Sequence, residues 1–198
     1  MLCTAFTGRS ATVTIDGINY EFHQSSDVKK RYYTVVSASK YLTGDVVLAE
    51  NLKNDGRDYP VRFLSSGAFA GCSGITSITI PSGMLQVGSP GEGCTELGEF
   101  RVAEKNANFI AVDGILMTRE GRIELFPPKH RAKYHCNTSL SSNGRYGAAF
   151  NYCSIDSLFF TPQVRISLTT FRGFKGNVFF EGTYSDYKFL EGIDNSST

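Results

Sequence analysis

The feature that most constrains this chain is a segment that occurs twice. Residues 67–81 read GAFAGCSGITSITIP, and residues 147–162 read GAAFNYCSIDSLFFTP. Both carry Ala-Phe-x-x-Cys, then an apolar run, then a proline. Between them, residues 93–102 (GCTELGEFRV) form a degenerate copy in which Pro90 and Gly91 take the places of Ala68 and Phe69, and Cys94 follows Cys72 by 22 residues. The same apolar template runs on from each cysteine: Ile75, Ile78, Ile80, then Leu97, Phe100, Val102, then Ile155, Leu158, Phe160. The last two positions of each set are spaced by two, as one face of a strand requires, so the residues between them point outwards. Thr170 to Phe174 followed by Val178 and Phe180 reads as a terminal, capping copy with Phe174 in the cysteine place.

One such unit cannot bury its own apolar edge, but about three stacked units share a core. Equivalent cysteines then stack inside the turn, where a small, polarizable side chain fits and a charged one does not. Cys72, Cys94 and Cys153 are therefore expected in the core, and the odd total of five cysteines without a CxxC pair argues against a disulfide framework or a zinc ribbon. The pattern is that of a leucine-rich-repeat strand, and it resembles the BspA-like, or Treponema pallidum type, repeats, whose unit reads Ile-Gly-x-x-Ala-Phe-x-x-Cys-x-x-Leu-x-x-Ile-x-Ile-Pro; the Ile-Gly is degraded here to residues 63–67 (FLSSG) and 145–147 (RYG). Ala68 through Pro81 carries the resemblance most fully. It implies a mainly β chain, a short leucine-rich-repeat solenoid with an N-terminal β cap and a β-hairpin insertion.

Cys153 follows Cys94 by 59 residues, one repeat of 22 and an insertion of 37. Within that insertion, Asn108 to Thr118 turns at Asp113-Gly114 and leads through Arg122 to Phe126, a three-stranded meander closed by Pro127 and Pro128. It is expected to decorate the stack or to form a binding loop. Ahead of the repeats, Thr12 to Phe22 alternates strictly about Asp16-Gly17, and Arg31–Ser37 and Gly44–Glu50 read as further strands covering the open end of the first coil. The chain so divides into 1–10, a leader remnant or frayed end containing Cys3; 11–58, the N-terminal cap; 59–182, the repeats with an insertion at about 103–138; and 183–198, a tail with little to bury.

Twenty basic and nineteen acidic residues leave a net charge of +1, which gives no broad electrostatic footprint for nucleic acid. No run approaches the roughly 18 to 20 apolar residues that a membrane-spanning helix needs. His23, His130 and His135 stand in no metal-ligand spacing, and His135 and Cys136, as strand neighbours, point to opposite faces. The glycine-rich Gly88–Gly93 segment lacks the lysine and helix of a phosphate cradle. No catalytic, cofactor or metal site is expected, and no cofactor.

Function is expected on the outer face of the repeat strands. Thr76, Ser77 and Thr79, then Gly98, Glu99 and Arg101, then Asp156, Ser157 and Phe159 are expected as adjacent rows, with Phe179 extending them. Among these, Thr79, Arg101, Asp156, Phe159 and Phe179 are the candidate partner-binding residues, mixing a cation, hydroxyls and aromatics as recognition surfaces do. The resemblance implies a secreted or cell-surface protein of a host-associated microbe that binds a protein ligand or a host matrix protein. A glycan-binding module of a surface uptake system is the alternative, and it requires aromatic platforms.

Overall fold

Asp-Gly hairpins and parallel ladders recur through the computed structural model, which describes residues 11–140, 149–162, 164 and 168–183. The expected leader remnant with Cys3, Gly147 and Ala148 of the second copy, and the tail beyond residue 183 lie outside these. Strand β1 (Thr12–Ile15) pairs with β2 (Ile18–His23) as the alternation predicts. Its turn needs positive φ at both central residues, which Asp16 (49°) and Gly17 (77°) supply. β2 continues antiparallel onto β3 (Tyr32–Ala38). β4 (Thr43–Val47) follows, then β5 (Asn51–Asn54) and β6 (Arg57–Leu64), joined by a further Asp55-Gly56 hairpin.

From here the chain coils. β7 (Gly74–Ile80), β8 (Gln86–Val87) and β9 (Glu99–Val102) complete two parallel ladders, β3-β6-β8 on one side and β4-β7-β9 on the other. Each turn of the solenoid gives one strand to each ladder. At the corners the backbones bond directly from coil to coil: the amides of Gly67, Phe69 and Gly71 donate to the carbonyls of Ser89, Pro90 and Glu92 at 2.8–2.9 Å. This close approach explains the glycines of the degenerate copy. A Cβ on Gly91 would lie 2.9 Å from the Gly67 Cα, so no larger residue fits there.

The meander follows as β10 (Phe109–Val112), β11 (Ile115–Thr118) and β12 (Ile123–Leu125), all antiparallel. A third parallel ladder then closes the described chain: β13 (Lys133–Cys136), β14 (Ser154–Phe160) and β15 (Lys175–Phe180). Short 3-10 turns occur at Val28–Lys30 and Leu168–Phe171, and no α-helix is found among the described residues. The fold is mainly β and repeats in parallel coils.

Three expectations need correction. β4 pairs in parallel with β7, so residues 43–47 belong to the stack and the coils begin before residue 59. Val46 sits level with Ile78, and the Leu48 amide donates to Thr79, but Leu42 replaces the cysteine, which hides this first copy from a motif search. β13 likewise stands in register with β14, with Tyr134 level with Leu158 and Cys136 with Phe160, so the insertion expected to run to residue 138 contains a coil strand. The meander, finally, is neither a decoration nor a loop. Leu116 and Leu125 join the core of the first coils, while Ile115 and Ile123 join that of the last. Because neighbouring strand residues point to opposite faces, a buried pair of strands forms a wall between two apolar cores.

The thiols occupy equivalent places. Cys72, Cys94 and Cys153 are at most 2 % exposed, and each Sγ donates to a carbonyl of the preceding coil: Ser39 at 3.4 Å, Phe69 at 3.1 Å and Phe126 at 3.3 Å. Together with the buried Cys136 they are free thiols. Burial pushes Cys94 and Cys136 up to about 12 and raises Cys72 and Cys153 as well.

In a Cys3→Ser chain, no described cysteine is expected to react quickly with a thiol reagent at pH 8 in the native state, whereas all four react after denaturation. The folded-state thiol pKa lies above the unfolded value of about 8.5, so this contribution is whole below that pH and is lost as pH rises towards about 12. Melting curves from pH 7 to 10 check the sign. Leu116→Ala is expected to cost about 2–5 kcal/mol in denaturant unfolding, as for a core leucine; a change near zero would return the meander to the surface.

Candidate binding surface

Outer-face residues on adjacent parallel strands stand side by side, so register decides which of them meet. In the first outer sheet, Val47, Thr79 and Arg101 occupy one row, with Asp45, Ser77 and Glu99 in the next. Arg101 is clamped rather than available: one guanidinium nitrogen donates to Asp45 Oδ2 at 2.8 Å and another to Glu99. Ser77, expected to face solvent, is fully buried and donates to Asp45 Oδ1 at 2.7 Å, joined by Thr76 at 3.2 Å. A register shift at Gly44/Asp45 brings the carboxylate over these hydroxyls. The Arg101 guanidinium, then Ser77 and Thr76, hold the Asp45 carboxyl below the usual carboxylate range.

The second outer sheet has a different chemistry. Its rows are Lys133, Ser157, Asn177 and then His135, Phe159, Phe179. In the latter row the rings stack along the ladder: His135 on Phe159 at 4.4 Å and 6°, Phe159 on Phe179 at 4.8 Å and 16°. Lys133 Nζ lies 5.0 Å from the Phe159 ring centre, a cation–π contact. His135 Nδ1 is 3.0 Å from Glu181 Oε1, an exposed contact beside the row. Phe159 is half-buried between its neighbours, and Phe179 remains 44 % exposed. Asp156 is exposed on the same strand, and its carbonyl accepts from the Asn177 side chain at 3.1 Å.

The five residues expected as one surface are thus divided. Thr79 and Arg101 share one sheet; Asp156, Phe159 and Phe179 share another. The cause is the tip of the β10–β11 hairpin. The Phe100 amide of β9 donates to Gly114 at 2.8 Å, so the hairpin turn takes up an edge at which a further coil strand would otherwise pair. A shallow open cleft lined by Gly98, Glu99, Asp113, Gly114, Lys129 and His130 marks this junction. Its charges are already matched, Lys129 with Glu96 and Arg131 with Asp113. His130 is held in one tautomer, Nδ1–H donating to the Gly98 carbonyl at 2.9 Å while Nε2 accepts from Arg131 at 2.9 Å. No cluster of three or more metal-ligating side chains occurs among the described residues.

Asp45, Lys133 and His135 are the surface residues that motif reading missed. The signal for His135 was present: once Tyr134-x-Cys136 is read as the end of an apolar template, His135 falls level with Phe159.

No family model matches the sequence, and no curated protein does. Among solved structures the chain is similar to a leucine-rich repeat protein from Bacteroides capillosus ATCC 29799, with a TM-score of 0.42 and 16% identity over 86% of this chain and 99% of that one. It is also similar to a leucine rich cell surface protein from Faecalibacterium prausnitzii A2-165 (TM-score 0.33, 9% identity, 93% of this chain and 98% of that one). A third is the pneumococcal vaccine antigen PcpA (TM-score 0.27, 13% identity, 93% of this chain and 70% of that one). At these scores the likeness adds nothing to the ladder registers, on which the repeat architecture rests.

The clamp on Arg101 generates a test. The Asp45 carboxyl is expected to titrate below a free aspartate in an NMR pH series, and Arg101→Ala is expected to move its midpoint up. The Arg101–Asp45 interaction is present above the ordinary carboxylate range and lost as pH falls through the lowered folded-state value.

Proposed function

We propose that this chain is a binding protein and not an enzyme, and that it engages a protein ligand through the outer face of β13-β14-β15. The observation that carries this reading is the aromatic row His135–Phe159–Phe179, exposed at Phe179 and bordered by Lys133 and Asn177. An apolar strip edged with polar groups on a rigid sheet loses little conformational entropy when a partner covers it. Thr79 and Arg101 fall outside the patch, and Asp156 lies at its margin.

Each ring of the row is stacked on its neighbour, so that both faces of Phe159 are covered. A sugar stacks on the face of a ring, and here the inner faces are occupied, so the arrangement favours a protein ligand over the glycan alternative. The resemblance of the Ala-Phe-x-x-Cys repeats to the BspA-like family supports secretion or display at the cell surface, with adhesion to a host or cell-surface protein as the role. Neither nucleic acid nor a cofactor enters this reading.

A panel of immobilised matrix proteins and glycans, probed with the native chain, Phe179→Ala and Arg101→Ala, tests it. Binding to a protein ligand is expected to fall at least tenfold, about 1.4 kcal/mol, in Phe179→Ala and to hold in Arg101→Ala. Equal binding by the native chain and Phe179→Ala would remove the patch from the mechanism, and binding confined to glycans would favour the alternative.

A further inference from the structure

A second aromatic row lies on a different sheet from the first. On the outer face of β2, β3 and β6 the His23 ring stacks on Tyr32 at 4.7 Å and 20°, and Tyr32 meets Phe63 at 4.8 Å and 55°. Register makes the row: His23 is level with Tyr32, and Phe63 is level with Thr34, two residues further along β3. The alternate residues Tyr33, Val35 and Val61 are buried in the core, so the row belongs to the surface, where all three rings are half-buried. The sheet beneath holds them in place before any partner arrives, which lowers the entropy lost on binding.

The loop that joins His23 to Tyr32 sets cations at one end of this row. It reads QSSDVKKR over residues 24–31 and contains the 3-10 turn Val28–Lys30, with Val28 38 % exposed. Asp27, the acidic residue of the loop, is turned onto the backbone, where it accepts from the Lys29 amide at 3.0 Å and caps the turn. Arg31 Nε donates to the Ser25 carbonyl at 2.7 Å and braces the loop. Lys29 and Lys30 are exposed, and among the described residues neither forms an ion pair, in contrast to Arg101, Lys129 and Arg131. Glu21, two residues before His23 on β2, adds a second carboxylate to this region, and three cations outnumber the two.

We propose that this face binds an acidic polypeptide segment, its carboxylates on Lys29 and Lys30 and an apolar side chain on the His23–Tyr32–Phe63 row. The two halves of the patch select this partner together. Cations alone suit any polyanion, and an apolar strip alone suits any apolar side chain. A segment that alternates acidic and apolar residues meets both. Three rings and two lysines suit a short segment, and binding through exposed charges is expected to weaken as salt screens them. The site differs from the β13-β14-β15 face in its sheet and in its charge, so it is independent of the ligand proposed above.

Fluorescence anisotropy of the full chain with three labelled synthetic peptides of equal length tests this. One repeats Glu-Leu-Asp-Phe, one has lysine in place of both acids, and one has serine in place of both apolar residues. The native chain is expected to bind the first about tenfold more tightly than either of the others. A chain carrying both Lys29→Glu and Lys30→Glu is expected to keep its melting curve, since both residues are exposed, to lose about tenfold for the acidic peptide and to gain affinity for the lysine one. Tyr32→Ala is expected to weaken the first peptide, and Phe179→Ala to leave it unchanged, which separates this site from the one on the last sheet. No saturable binding of the acidic, apolar peptide by the native chain, equal binding of all three peptides, or unchanged affinity in the doubly substituted chain would each overturn the proposal. So would binding of heparin with the first peptide left unbound, which would mark the lysines as a site for polyanions.

Discussion

Each coil of this protein is held by its neighbours through backbone hydrogen bonds at the corners, and the approach this demands governs most of the sequence. The amides of Gly67, Phe69 and Gly71 reach the carbonyls of the next coil at 2.8–2.9 Å. That spacing leaves no room for a Cβ at Gly91, and it brings the carbonyl of one coil within reach of a thiol in the following one. Cysteine suits this place because it fills a small apolar volume and still offers a weak donor to a carbonyl. Serine would demand a stronger bond, and an aliphatic residue would leave that carbonyl without the contact. The phenylalanines of the Ala-Phe pairs, Phe69 and Phe150, are fully buried beside these thiols and supply much of the apolar area that the coils share.

The meander changes what such a stack can do. By placing Leu116 and Leu125 in one core and Ile115 and Ile123 in the other, it joins two short solenoids through a common wall. Its tip, bonded to β9 through Phe100 and Gly114, also interrupts the outer face. Two sheets of contrasting chemistry result. The first neutralises its charges internally, Arg101 between Asp45 and Glu99 over a buried Ser77. An exposed network of this kind orders the surface without adding much stability, because solvent screens each pair. The second keeps an aromatic row open at Phe179. The first sheet thus has its charged groups paired within it, and the second carries the stacked rings.

Much of the fold was legible in the sequence. The repeated Ala-Phe-x-x-Cys unit and its strand template identified the coils around Cys72, Cys94 and Cys153, and the Asp-Gly pairs at residues 16–17 and 113–114 placed two hairpins. These features are local: a type I′ turn is set by its two central residues, and a buried strand by its alternation. The coils of β4 and β13 escaped because Leu42 and a proline-rich turn stand where a cysteine motif was sought. Their place in the stack depends on register against distant strands and not on their own residues.

The candidate surface was legible only in part. Sequence correctly distinguishes inward from outward positions along most of each strand, because side-chain direction follows from backbone alternation. It cannot say which outward residues meet, since that depends on which strands become neighbours and on bulges such as the one that turns Asp45 over Ser77. By itself the sequence determined a mainly β repeat with buried thiols and tight Asp-Gly turns, all consequences of short-range sterics and periodic burial. The tertiary structure alone decided that the meander is a buried wall, that Arg101 is clamped, and that His135 joins Phe159 and Phe179 in one row, because each of these depends on contacts between residues far apart in the chain.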